Sequence, residues 1–222
     1  MTESEFRQLA AKGFNRIPLV LETFADLDTP LSVYLKLANC PWSYLLESVQ
    51  GGERFGRYSF IGLQAETRFE VRGHHCAEYR HDRLLQASEH KDPLDFVKAC
   101  QARFKAALRP GLPRFCGGLV GFFGYDTVRY IEARLKRAAK PDPLGLPDIR
   151  LLLSEELAVV DNLSGKLHLI VYADPAKPDA YRRGMRRLHE LRVQLRKPAE
   201  LPAHEKRATL DAPRSNIGEG AF

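Results

Sequence analysis

The sequence predicts an α+β fold, mainly antiparallel sheets with flanking helices, and three observations predict it. Apolar runs of strand composition follow one another without regularly intervening helices, which argues against repeated parallel βαβ units. Two amphipathic helical segments stand apart from those runs, one opened by Asp92-Pro93 and one over residues 181–197. The stretch "NLSG" (162–165) separates two strong strand signals in the manner of a hairpin turn.

Thr2 and Glu5 stand at capping-box spacing and open a first helix over "SEFRQLAAK". "RIPLVLETF" (16–24) is rich in strand formers, and Thr29-Pro30 supplies an N-cap and first-turn proline for a helix over "LSVYLKLA". Strand signals continue at 43–49, 58–63 and 67–73, with a weaker, more polar hairpin after them at 76–87. The apolar run Tyr44, Leu45, Leu46 reads as a strand buried on both faces, interrupted by Glu47 and Ser48. After Asp92-Pro93 a helix places Leu94, Val97, Phe104 and Leu108 on one side, with Arg109-Pro110-Gly111 ending it. "CGGLVGFFGYD" (116–126) precedes a short helical piece around "TVRYIE". "IRLLLSEELAVVD" (149–161) and "KLHLIVYAD" (166–174) read as the two arms of a long hairpin. In the basic helix, Tyr181, Met185, Leu188, Leu191 and Leu195 form the apolar face and arginines fill the other. From Pro198 the chain turns to prolines and charges with little periodicity, so residues 1–197 read as one unit and 198–222 as a linker.

Composition excludes several classes. The chain has 222 residues, enough for a core that needs no staples, with 44% hydrophobic and 28% charged residues, the balance of an ordinary soluble domain. No apolar stretch is long enough for a membrane span, and the polar N-terminus is no signal peptide. Cys40, Cys76, Cys100 and Cys116 are scattered with no C-x-x-C pair, which fits reduced thiols in a cytoplasm and argues against zinc. The net charge of +6 raises nucleic acid as a partner, but much of the excess sits on the 181–197 helix with no recognition motif. A solvated helix face explains it, so no nucleic-acid partner is expected. "GGERFGR" (51–57) fails as a phosphate loop because Arg57 and Tyr58 stand where Lys and Ser/Thr belong, and because a strand comes next. "GGLVGFFG" (117–124) does not fit the dinucleotide fingerprint; its glycines are expected to let strands approach closely or bulge. His74 and His75 read as solvated in a polar hairpin, and no metal-ligand cluster is expected.

Glu47 poses the sharpest question, since a carboxylate within a core strand is costly unless paired. Either it pairs internally with Arg54 or Arg57, or it faces the cation of a ligand. "PLSVYLKLA…PWSYLLESVQGGERFGRYSFIGL" followed by "GGLVGFFGYDTVRYIE" resembles the N-terminal region of anthranilate synthase component I, a chorismate-utilising enzyme family. The similarity runs from about Arg16 to Tyr172.

The resemblance implies an incomplete part of the layered fold of that family, a cytoplasmic amino-transferring lyase that makes anthranilate from chorismate in tryptophan biosynthesis. It implies that residues 1–197 carry the feedback site for L-tryptophan. Glu47 would face the ammonium, Ser48 the polar end, and Leu46 the indole, while Phe55, Gly56, Arg57 and Tyr58 form a second wall. Arg57 would reach the ligand carboxylate or brace the loop. The chorismate- and Mg2+-binding residues of the family lie in a longer C-terminal half, toward which "SNIGEGAF" resembles the first helix; no catalytic residue is therefore expected here. The family's partner is a glutamine amidotransferase subunit, component II. An uncovered apolar face would favour self-association of the fragment. Two rival readings are aminodeoxychorismate synthase component I of folate synthesis, some members of which share the "PW" before the strand, and a stand-alone amino-acid-binding module.

Overall fold

A computed structural model describes residues 1–47, 56–132, 134–135, 142 and 144–199. Its helices begin where the caps place them. Thr2 and Glu5 exchange side-chain and backbone bonds at the start of α1 (Glu3–Ala11), and Thr29 does the same with Ser32 at the start of α2 (Pro30–Leu37). The Asp92 side chain accepts the Leu94 amide and opens α3 (Pro93–Ala102). A single turn, α4 (Val128–Ile131), and the long α5 (Ala180–Leu195) complete the α-helices among the described residues.

Among the described residues, ten strands form two five-stranded sheets. They are β1 (Ile17–Phe24), β2 (Tyr44–Leu46), β3 (Tyr58–Gly62), β4 (Thr67–Arg72), β5 (His75–Arg80), β6 (Arg83–Glu89), β7 (Gly118–Phe123), β8 (Ile149–Ser154), β9 (Glu156–Asp161) and β10 (Lys166–Ala173). Sheet one runs β1-β10-β9-β3-β2 and sheet two runs β6-β5-β4-β8-β7. Every pairing between these strands is antiparallel. The α+β class and the antiparallel sheets are as the sequence predicts.

Alternation within the strands decides what covers each face. Ile17, Leu19, Ile61, Leu167 and Leu169 point to one face of sheet one, where α1, α2 and α5 bury them. Leu188 and Leu191 of α5 are fully enclosed there, each burial worth about 1.5–3 kcal/mol. On the opposite face Leu157, Val159 and Ile170 pack with Phe115 and Cys116. In sheet two Phe69, Val71, Ile149 and Leu151 pack under α3 through Phe96 and Cys100. The other face of sheet two is charged. Glu70 is buried between Arg68 (3.3 Å) and Arg150 (3.0 Å). Trp42, in the positive-φ region before β2, lays its indole 4.2 Å from the Arg68 guanidinium and 5.3 Å from that of Arg150, and donates to Asp82.

Four expectations are corrected. The run Tyr44–Leu46 is a strand but is not buried on both faces: β2 has three residues, pairs only with β3 among the described residues, and leaves Leu46 48% exposed. The run 149–161 is not one hairpin arm but two strands in different sheets, parted at Glu155. The helix α3 ends at Ala102 rather than near 109, because tertiary hydrogen bonds claim the backbone of residues 103, 105 and 107. Asn15 holds the Arg103 carbonyl and the Lys105 amide, and the Ala107 amide donates to the Arg16 carbonyl. Leu108 is consequently exposed. On α5 the buried positions are Gly184, Leu188, Leu191 and Leu195; Met185 lies outward, and Gly184 makes the contact with Leu19.

Gly121 of "GGLVGFFG" does serve close strand approach, since a Cβ there would collide with the Arg150 carbonyl on β8, whereas Gly118 faces open space and sits at a positive φ. Gly121→Ala should therefore loosen the β7–β8 pairing and cost about 1–3 kcal/mol, read as a lower urea midpoint.

Candidate functional site

Of the residues singled out from the sequence, Leu46, Glu47, Gly56, Arg57 and Tyr58 are described, and they fall at the β2 edge of sheet one, near the turn between β9 and β10. The pairing register sets what shares a face. Leu46, Phe60, Val159, His168 and Glu22 form one row across all five strands, and Tyr58, Asp161, Lys166 and Phe24 form the next. The near end of these rows is aromatic. The Phe60 ring meets Phe115 edge-on at 5.3 Å and lies 6.1 Å from Tyr58. The far end is charged, with Lys166 on Glu22 at 2.7 Å and His168 3.8 Å from the same carboxylate.

Next to β2, the Tyr44 ring lies flat over Gly62, where any Cβ would overlap it. Its hydroxyl shares a 2.7 Å hydrogen bond with Ser154 of sheet two, and burial pushes the phenol up to about 12. Tyr44 thereby fixes the edge strand against the second sheet.

Arg57 stands immediately before β3. Its Nε lies 3.1 and 3.2 Å from the two Asp161 oxygens and its Nη2 lies 2.8 Å from one of them, while the guanidinium covers the Tyr58 ring at 4.9 Å. The Asp161 side chain is nearly enclosed and that of Arg57 is 40% exposed. The Arg57 hydrogen bonds hold the Asp161 carboxyl down at about 2, against the pull of burial and with help from the Ser164 and Leu163 amides. Asn162 extends the contact. Its amide nitrogen donates to the Arg57 carbonyl at 2.7 Å, and its Nδ2 donates to the Gly56 carbonyl at 3.2 Å and to Ser59 Oγ at 3.1 Å.

The structure thus brings Leu46, Gly56, Arg57 and Tyr58 to one edge. Glu47 comes directly after β2 in an exposed position and has no ion-pair partner among the described residues. Ser48 and Phe55 lie outside the described residues. Sequence reasoning missed Tyr44, Phe60, Phe115, Asp161 and Asn162. A register drawn between the runs 43–49 and 58–63 would have paired Leu46 with Phe60, but no local signal links Asn162 to Gly56. Among the described residues, no three His, Cys, Asp or Glu side chains converge as a metal site. No helix among them is long and apolar enough to cross a membrane.

This defines a two-sheet α+β unit with an aromatic edge braced by the half-buried Arg57–Asp161 ion pair. No protein-family model matches the chain. It is similar to anthranilate synthase component 1 of Neisseria meningitidis serogroup B, 55% identical over 91% of this chain and 42% of that protein. It is likewise similar to the Pseudomonas aeruginosa protein of the same name, at 55% over 89% and 40%, and to that of Acetivibrio thermocellus, at 35% over 74% and 33%. A crystal structure of anthranilate synthase component I from Streptococcus pneumoniae aligns with a TM-score of 0.49 and 23% identity, covering 79% of this chain and 36% of that one. The resemblance read from the motifs therefore extends over nine tenths of the chain, which spans about two fifths of the length of the first two relatives.

The depressed Asp161 carboxyl has a signed consequence. Its folded value lies below its ordinary 3.8, so its contribution is complete above about pH 4 and is lost as pH falls toward 2. Asp161→Asn should cost about 1.5–3 kcal/mol at neutral pH and flatten the acid limb over that window, measured by urea unfolding at successive pH values.

Proposed function

We propose that this chain is the tryptophan-sensing part of an anthranilate synthase component I, the enzyme that converts chorismate to anthranilate and pyruvate. The observation that carries the reading is the 55% identity to proteins of that name over 91% of the chain. The shared name also favours anthranilate over aminodeoxychorismate chemistry.

The edge of sheet one suits a free amino acid with a flat side chain. Leu46 and the Tyr58–Phe60 pair offer an apolar wall for an indole. Glu47, exposed at the end of β2, supplies a carboxylate for the ammonium, and Ser48 and Phe55 complete the proposed ligand set. Arg57, anchored by Asp161, braces the second wall and keeps a cationic surface toward solvent. Chorismate, Mg2+ and the glutaminase subunit are assigned to the remainder of the intact enzyme. Tryptophan then inhibits by preferring one of two arrangements of that enzyme, and the coupling between tryptophan and chorismate is reciprocal.

In the intact enzyme Ser48→Arg should fill the pocket and raise the tryptophan inhibition constant by about tenfold or more, leaving the kcat and KM for chorismate nearly unchanged. Glu47→Ala should weaken inhibition by about 1.5–3 kcal/mol through loss of the charged hydrogen bond. Inhibition of the Ser48→Arg enzyme at ordinary tryptophan concentrations would refute the site. The present chain alone should release no anthranilate from chorismate with ammonia or glutamine, monitored by anthranilate fluorescence.

A further inference from the structure

The geometry points to Asn162 as a positioning residue for tryptophan feedback, a role that rests on the reading of the β2–β3 edge as the ligand wall. Asn162 belongs to the β9–β10 turn, yet its side chain serves a different part of the chain. Nδ2 donates to the segment leading into β3 twice, to the Gly56 carbonyl (3.2 Å) and the Ser59 hydroxyl (3.1 Å). Its backbone amide donates to the Arg57 carbonyl at 2.7 Å. Three hydrogen bonds from one residue thus fix three of four consecutive positions, 56, 57 and 59.

The turn that carries Asn162 is itself rigid. Asp161 accepts from the Leu163 and Ser164 amides, and the Gly165 amide closes the turn on the Asp161 carbonyl at 2.9 Å. Asp161 also holds the Arg57 side chain. The turn therefore grips the segment twice, through the guanidinium at Asp161 and through the backbone at Asn162. The two grips differ in what they determine. The ion pair places one side chain; the Asn162 amide places the backbone from which the proposed wall, Gly56 to Tyr58, is presented.

Ser59 explains why an asparagine stands there. It is fully enclosed, and its hydroxyl lies against Asn162 Nδ2. A carboxamide has two hydrogens on one nitrogen, so it can serve the buried hydroxyl and the Gly56 carbonyl together. Aspartate has the same shape and neither donor. Its carboxylate would face the Gly56 carbonyl and repel it. An alanine would leave both oxygens without that partner and release the Gly56 carbonyl from the turn, while the backbone bond from residue 162 to the Arg57 carbonyl would stay.

The test uses the intact enzyme with Asn162→Ala and the isosteric Asn162→Asp, beside Ser48→Arg as a control on the ligand site. Both Asn162 variants should raise the tryptophan inhibition constant by about tenfold while kcat and KM for chorismate stay within about twofold of the parent. Tryptic cleavage after Arg57, monitored by mass spectrometry in the same enzyme, should accelerate several-fold as the side-chain hold on the flanking Gly56 and Ser59 is lost and local opening becomes easier. If Ser48→Arg desensitises but both Asn162 variants remain as sensitive as the parent, the positioning role is overturned and the site survives. If chorismate turnover falls in step with inhibition in both variants, Asn162 is a general folding residue and the proposal is likewise overturned. A Ser48→Arg enzyme that tryptophan inhibits normally removes the ligand assignment itself, and the feedback role of Asn162 with it; unchanged cleavage at Arg57 then removes the grip as well.

Discussion

The fold depends on one stretch of chain serving two sheets. Residues 149–161 leave β8, where they pair with β4 and β7, and enter β9, where they pair with β3 and β10, with Glu155 alone between. That joint is secured on several sides. The Glu155 carboxylate pairs with Arg16, which also reaches Asp174 at 3.2 Å, and the Glu156 carboxylate receives Arg187 through two nitrogens. The Glu155 and Glu156 carbonyls accept from the amides of Tyr172 and Leu63. These half-buried ion pairs add little net stability. Their contribution is geometric: they set where one sheet ends, where the next begins, and so where β3 lies.

From that joint the site edge is assembled by two kinds of force. Strand register places the apolar groups, since Leu46, Phe60 and Tyr58 share a face for no reason beyond the two-residue period. Directed side-chain bonds place the segment before β3, where the Asn162 amide carries the β3–β9 register one residue further, onto the Arg57 carbonyl. The Asp161–Asn162 pair supplies them. Tyr44 adds a tie to the second sheet, so the shortest strand among the described residues is held by Ser154 as well as by its pairing with β3.

Much of the fold is legible in the sequence because it is written locally. Capping boxes, the Asp92 cap and the NLSG turn are short-range chemistry, and they fall where expected. The features that escape a local reading are long-range. The 149–161 run is apolar enough on both faces to look like a single arm, and the switch of sheets depends on Arg16, 139 positions from Glu155. The apparent length of α3 reflects periodicity continuing past Ala102, overridden by Asn15. Leu45 and Leu46 look equally buried in sequence, yet only Leu45 faces the helices. The candidate site divides the same way. Its wall residues carry a recognisable motif, whereas the groups that hold them, Asp161 and Asn162, lie in a stretch that reads as an ordinary turn.

Trp42 is the only tryptophan in the chain. Its indole lies against the Arg68 and Arg150 guanidinium groups of sheet two, while its backbone leads through Ser43 into the edge strand of sheet one. Cationic neighbours at that range alter the emission of an excited indole. The fold has thus placed its one indole fluorophore at the seam, and the colour and intensity of that emission report how the two sheets meet.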